Sequence, residues 1–387
     1  MITKIRSIYW FQIIFIGAFY ALALSLPISE ALKQFSAIVI ILLGVHLIFE
    51  DELKIKEDLV TYSVGGIFIS SIISAILAVT PPEALQGLID IVRILLLFLI
   101  IKNIPLNIKQ VIRFKKLLFF SMLLALLYGL YELYYDSEKT KLLLNSIGQI
   151  SQSSFYIVLV LSIALSHFLV SHKRLHKFLL LFVILSSLVG LFIMDNRAMI
   201  VISLLIVLLF FIFVLQSSAK NSQLLFLLIM ILVIPVIILF GNDYRLEKLF
   251  LGFSQRDELL QVSILAWLNH NLFFGIGIEN LQYINPQNYI ETEYTSISIN
   301  QNTYINYLVE RGLCGLGLYL LFIFSILAAL IKKYIKTKDT LVIAAIMIWF
   351  ATFIISGIST TFSDENGLLI ALIWGMALNE HLSASKE

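Results

Sequence analysis

Long apolar runs alternate with short polar breaks along almost the whole chain. The runs fall near 8–27, 31–49, 59–79, 84–101, 115–134, 147–170, 177–194, 199–215, 223–240, 303–330, 340–360 and 366–382. Each approaches the roughly 20 residues that a helix needs to cross about 30 Å of hydrocarbon. Only a helix satisfies its own backbone there without closing into a barrel. The pattern predicts an all-α fold, a polytopic transmembrane bundle of about twelve spans. The positive start Met1–Ser7 runs into the first apolar segment, which ends near Pro27 without a small-x-small site. It reads as a first span rather than a cleaved signal peptide.

One break is long. About sixty residues, Gly241 to Asn302, separate the ninth span from the tenth. This divides the chain into spans 1–9 (1–240), a large loop (241–302) and spans 10–12 (303–387). A loop of that length in a tightly connected bundle is usually functional. Within it Leu259, Leu260, Val262, Ile264, Leu265, Trp267 and Leu268 recur at helical spacing. Ser254 has an N-cap type, and Asp257 and Glu258 follow in the first turn. An amphipathic helix is predicted over about 255–269, lying over the mouth of the bundle. Gly275 and Gly277 follow, where positive φ and a close backbone approach are available. Pro235 is the one proline inside a span, and a kink is expected there.

Composition agrees with the pattern. The chain is 60% hydrophobic and 13% charged, with a mean hydropathy of +0.96. A soluble domain carries nearly twice that share of charge. The balance of 27 Lys and Arg against 25 Asp and Glu leaves no basic stripe for nucleic acid. A single Cys314 excludes an intrachain disulfide framework and any cysteine-based zinc site. No metal-binding, phosphate-loop or nucleophile-elbow motif is present. With the N-terminus in the cytoplasm, eighteen of the basic residues fall on the cytoplasmic side and seven outside. Lys33 and Arg93 lie in or at the edge of spans. That bias predicts both termini in the cytoplasm and the large loop outside.

Several charges sit where lipid would be expected. Asp90 and Arg93 are three residues apart in the fourth span and share a helix face, either as a structural pair or lining a cavity. Glu310 and Arg311 lie early in the tenth span and read as interfacial charges. Asp364 and Glu365 read as a solvated turn. Asp195-Asn196-Arg197 forms a tight outside turn, where a guanidinium can meet a phosphate in two parallel hydrogen bonds.

The order of these features resembles a known family. A loop helix is followed by Leu272-Phe273-Phe274-Gly275-Ile276-Gly277. Then Asn302-Thr303-Tyr304-Ile305-Asn306-Tyr307-Leu308-Val309-Glu310-Arg311-Gly312 opens a span. This is similar to the O-antigen polymerase/O-antigen ligase superfamily of bacterial cell envelopes, as is the turn Asn196-Arg197-Ala198 two spans earlier. The likeness covers about 195–320, a third of the chain. It implies metal-independent glycosyl transfer without a cofactor, at the outer face of the bacterial cytoplasmic (inner) membrane. The implied donor is a glycan on undecaprenyl diphosphate, a membrane lipid. By motif the two diphosphate-binding arginines of the family fall on Arg197 and Arg256, which with Glu310 form the expected catalytic set. A chain-length regulator and a flippase are implied partners. Ligases of the family carry a histidine where this chain has Gln301, and a proline where it has Asn271. Glutamine cannot take a proton near neutral pH. The resemblance therefore points to the repeat-unit polymerase branch. The acceptor side then involves His270, Glu279, Gln301, Asn302 and Tyr304, with His270, Glu279 and Glu310 as possible bases. A ligase acting on lipid A-core is the alternative within the superfamily, and a twelve-span secondary transporter the alternative outside it.

Overall fold

The computed structural model describes residues 2–135, 141–144, 147–171, 173–217, 253–290, 302–362 and 364–384. Among these the chain is all-helical. Its long helices are α1 (Ile2–Ser25), α2 (Glu30–Phe49), α3 (Leu59–Ile76), α4 (Pro81–Asn103), α5 (Ile108–Tyr135) and α6 (Ile150–Val170). After them come α7 (Arg174–Ile193), α8 (Arg197–Ser217), α9 (Phe253–Leu268), α10 (Thr303–Thr337), α11 (Thr340–Ser356) and α12 (Asp364–Leu378). A last turn, α13, covers His381–Ala384. Seven of them, α2 to α7 and α10, are long and apolar enough to cross a membrane. Eleven of the twelve predicted spans coincide with a helix. The ninth, 223–240 with Pro235, lies outside the described residues, as does Gln301. The remaining long helix is α9, close to the loop helix expected at 255–269.

Local signals set many of the helix starts. Asp58 accepts from the Thr61 N–H at 2.9 Å to cap α3, and Asp339 accepts from Leu341 at 3.1 Å to cap α11. The Asn302 side chain accepts from Ile305 at 3.2 Å to cap α10. Pro81 and Pro82 open α4, where the missing N–H would have no helical partner.

At the centre lies α6, which packs on α5, α7, α8, α11 and α12. It is the most deeply buried of the seven long apolar helices. Its serines explain how. Ser154, Ser162 and Ser166 are small enough for close helix approach, and each hydroxyl donates to a carbonyl of its own helix at 2.7–2.9 Å. The peripheral helices show the opposite face. On α7, Leu175, Phe178, Leu179, Phe182 and Val189 are exposed, while Leu180, Val183, Ile184, Ser187 and Leu191 face inward. An exposed apolar stripe of this extent is the surface of a lipid-solvated bundle.

A second, smaller core sits at one end. Val262 and Ala266 of α9, Ile276, Leu281 and Ile284 of the following loop, and Val309 of α10 pack together. This cluster fixes the described part of the large loop onto the bundle.

Candidate functional site

The segment from Leu272 to Gly277 is threaded into a break in α10. Gly312 has φ 66° and ψ −168°, a region open essentially to glycine alone, and the helix is interrupted there. The freed backbone groups are satisfied by the loop. The N–H groups of Leu313 and Cys314 donate to the carbonyls of Leu272 and Phe273 at 2.9 and 3.1 Å. In return the N–H groups of Ile276 and Gly277 donate to the carbonyls of Val309 and Glu310 at 2.9 and 3.0 Å. Ser74 of α3 adds its hydroxyl to the Glu310 carbonyl at 2.6 Å. A Cβ on Gly312 would lie 2.2 Å from the Phe273 carbonyl carbon, and one on Gly275 would lie 2.4 Å from the Glu310 carbonyl carbon. The two glycine motifs of the sequence are thus two sides of one backbone pairing. At Gly277, φ 107°, an added Cβ would lie 2.3 Å from the Ala78 Cβ, so glycine allows the loop to pack against the end of α3.

Beside this pairing lies a polar cavity of about 370 Å³. It is walled by the first turns of α6, α10 and α12, by α4 around Gly87–Ile91, and by the loop at 278–282. From α10 come Thr303, Asn306, Tyr307, Glu310 and Arg311, which recur at helical spacing on one face. Glu310 and Arg311 are buried within the protein rather than snorkelling at its surface. They are 9% and 5% exposed, because the inserted loop covers them. The Glu310 carboxylate accepts the backbone N–H of Glu279 and stands 3.9 Å from the Arg311 guanidinium. Arg311 lies over the Tyr307 ring at 4.1 Å.

The other walls are held rigidly. The Gln152 Nε2 donates to the Thr360 carbonyl at 3.0 Å and to the Thr360 hydroxyl at 2.8 Å, and Asn366 donates to the Gln152 side-chain oxygen at 2.6 Å. Glu365, read from sequence as a solvated turn, is 4% exposed and ion-paired with the fully buried Lys33. The reason is tertiary: α2 brings an ammonium to it from 332 residues away. Asp90 meets Arg93 at 2.9 Å, and Arg93 also donates to Gln34 of α2. Asp90 both lines the cavity and completes a structural pair, so the two sequence readings of it hold together.

The sequence-predicted residues are distributed unevenly about this site. Glu279 and Glu310 line the cavity together. Arg197 begins α8 at the same end of the bundle and is half-buried. Its turn touches α6, where the Ser154 hydroxyl donates to the Met194 sulfur at 3.4 Å, but Arg197 is not a cavity wall. Arg256 lies in the first turn of α9, and its side chain is outside the described residues. His270 is exposed, with Nε2 3.3 Å from the Leu77 carbonyl. Asn302 caps α10 and donates to the Gly357 carbonyl at 3.1 Å. Tyr304 donates to the Phe353 carbonyl at 2.7 Å, among the rings of Tyr319 and Phe353. None of His270, Asn302 and Tyr304 lines the cavity.

Sequence reading passed over Asn306, Tyr307 and Arg311 as members of a site. The signal was present as a polar stripe in the first turns of an apolar span. Gln152, Thr360 and Glu365 carried no comparable signal. A larger cavity, about 860 Å³, opens at the opposite end near Phe11, His46, Glu50 and Asn107, and none of the predicted site residues lines it.

Residues 180–320 match the family model of O-antigen ligase. Over that segment the chain is similar to the O-antigen ligase family. The matched stretch takes in Arg197, α9, the glycine loop and the part of α10 that carries Glu310 and Arg311. Curated proteins give no match to the chain. The similarity and the seven helices long and apolar enough to cross a membrane fit a multi-pass membrane protein.

Proposed function

We propose that this O-antigen ligase-like protein is a repeat-unit polymerase, transferring a growing glycan from undecaprenyl diphosphate to the next lipid-linked unit. The observation that carries this reading is the buried Glu310 carboxylate in a polar cavity, at the point where the glycine loop breaks α10. The acceptor sugar lies in the cavity. Its hydroxyl oxygen attacks the anomeric carbon of the donor, and the bond from that carbon to the diphosphate oxygen breaks with its electron pair. Glu310 takes the hydroxyl proton, with Glu279 as the neighbouring carboxylate. The roles assigned to Arg197 and Arg256 are to bind the diphosphate, where guanidinium groups stabilise the charge that develops on the leaving group.

In this reading the end of the bundle holding the cavity faces outside, both termini are cytoplasmic, and 241–302 is the external loop. Gln301 favours the polymerase, because the histidine of the ligases is replaced by a side chain that takes no proton. The description of the matched family as a ligase keeps lipid A-core as the second acceptor to test.

Gene deletion followed by electrophoresis of surface polysaccharide separates these outcomes. A single capped repeat unit supports the polymerase. Loss of all capping supports the ligase, and an unchanged ladder rejects both. In a membrane transfer assay with lipid-linked repeat units, Arg197→Ala is expected to lower turnover by about 100-fold or more. Normal turnover by that variant removes the arginine from the mechanism.

A further inference from the structure

The end of the bundle away from the polar cavity carries its charge unevenly. Over much of it acids and bases are mixed. Lys102 pairs with Asp58, Lys56 pairs with Glu380, and Glu50 and Glu52 border the larger cavity. The corner where α5 begins, α6 ends and α7 begins is different. The chain has no Asp or Glu from Ile104 to Tyr131, and none from Ile147 to Met194. Six exposed cations stand there: Lys109, Arg113 and Lys116 on α5, Lys173 just before α7, and Arg174 and Lys177 on it. Among the described residues no carboxylate pairs with any of the six. Membrane proteins in general gather basic residues on one side. A corner of like charge with no counter-charge in the chain goes further, because close cations repel one another until an anion joins them.

Three of the six converge on His176. Its ring meets that of His167 of α6 edge to face, with 5.3 Å between centroids. Lys116 of α5 and Lys173 both lie within electrostatic range of it. Lys177 is the next residue along and stands over the Phe168 ring of α6 at 5.9 Å. Three helices thus hold Lys116, Lys173 and Lys177 around one imidazole.

The helix faces that carry the cations continue as apolar surface. On α5, Lys116 is followed at helical spacing by Phe120, Leu124 and Leu127, all exposed. On α7, Arg174 is followed in the same way by Phe178, Phe182 and Leu185, also exposed. An anionic head at the cations therefore has room for chains along both stripes. That combination is the complement of an amphiphile rather than of a soluble anion.

We propose that the corner of α5, α6 and α7 is a binding site for an anionic phospholipid, its phosphate held by Lys116, Lys173 and Lys177 and its acyl chains laid along α5 and α7. The site lies at the opposite end from the polar cavity and does not depend on the glycosyl-transfer reading.

Native mass spectrometry of the purified full chain in detergent tests it, with dioleoyl phosphatidylglycerol and dioleoyl phosphatidylcholine added in turn. The wild type is expected to retain phosphatidylglycerol about 10-fold or more tightly, the scale of two or more basic side chains acting on one headgroup. Lys116→Gln/Lys173→Gln/Lys177→Gln is expected to bind the two lipids alike. Lys332→Gln/Lys336→Gln/Lys338→Gln removes three exposed cations beside Asp339, at the end of α10, and is expected to leave the preference unchanged. All six lysines are exposed, and a melting temperature checks that both variants are folded.

Equal retention of the two lipids by the wild type overturns the proposal, with no variant needed. So does a preference that survives in the folded corner variant. A preference lost equally in both variants would belong to the charge of the whole surface and overturns the site. Displacement of the lipid by an equal concentration of glycerophosphoglycerol, the headgroup without chains, would reveal a soluble-anion site and overturns it as well.

Discussion

Both ends of the bundle bury charge, and they do so differently. At the end away from the site, Lys102 donates to both Asp58 carboxylate oxygens at 2.7 Å and to the Thr61 hydroxyl at 2.8 Å. Nearby, Lys333 donates to the Asn379 carbonyl at 2.6 Å, and Asn379 donates to the carbonyls of Ile101 and Ile104 at 2.8 and 2.7 Å. These groups pin α3, α4, α10 and the end of α12 together. At the cavity end an outer ring pairs Lys33 with Glu365, and Arg93 with Asp90 and Gln34. Inside that ring Glu310 and Arg311 are buried side by side and wall the cavity. At one end the buried charges join helices to each other, and at the other they also wall a cavity.

The comparison can be broken first at the backbone. Gly312→Ala places a Cβ against the Phe273 carbonyl in a conformation alanine does not adopt. A loss of stability above about 4 kcal/mol is expected, the exceptional end of single substitutions. Thermal unfolding in detergent measures it. A near-normal melting temperature would mean the loop and α10 are not paired as described.

Glu310→Gln tests the cavity chemically. Turnover in the membrane assay is expected to fall by about 100-fold or more, the scale of a lost general base. The melting temperature should move little, since the Glu279 N–H can still be accepted. Normal turnover would pass the role of base to Glu279 or His270.

Asp58→Asn does the reverse at the far end. Burial raises the Asp58 pKa, but the hydrogen bond and charge of Lys102 and the hydrogen bonds from Thr61 together outweigh it and hold the carboxylate below its ordinary range. A depressed folded value means the pair stabilises the chain above the unfolded pKa. That contribution is lost as pH falls through the folded value. The variant leaves Lys102 buried without its counter-charge. About 1–2 kcal/mol is expected to be lost at neutral pH, after allowing for the partial exposure of Asp58. Transfer by the folded fraction is expected to be unchanged. A selective loss of turnover would erase the contrast between the ends.

The smallest effect is expected at Tyr304→Phe. It removes one hydrogen bond to the Phe353 carbonyl, worth roughly 1 kcal/mol. The KM for the acceptor should hold, and a rise would return Tyr304 to the acceptor side.

Much of the architecture was legible in the chain because lipid imposes it. A run of twenty apolar residues has one stable solution in hydrocarbon, so eleven helices could be placed from periodicity and length alone. Cap residues such as Asp58, Asn302 and Asp339 act on N–H groups two or three residues away, which is also local information. The glycines of the loop and of α10 were visible too, though not their relation. Only the folded chain brings Gly275 against Glu310 and Gly312 against Phe273, so the close approach that the glycines allow is to a distant helix of the same chain.

What sequence determined, then, was the helical class, most of the spans and the short list that included Glu279 and Glu310. What the tertiary structure decided was which polar groups share a cavity. Glu365 is a buried partner of Lys33 rather than a solvated turn, Asn302 and Tyr304 are turned to capping and packing, and Arg311 is buried beside Glu310. These outcomes depend on contacts between residues tens to hundreds of positions apart. A helix repeat records which face a residue occupies, and it carries no record of what a distant helix will bring to that face.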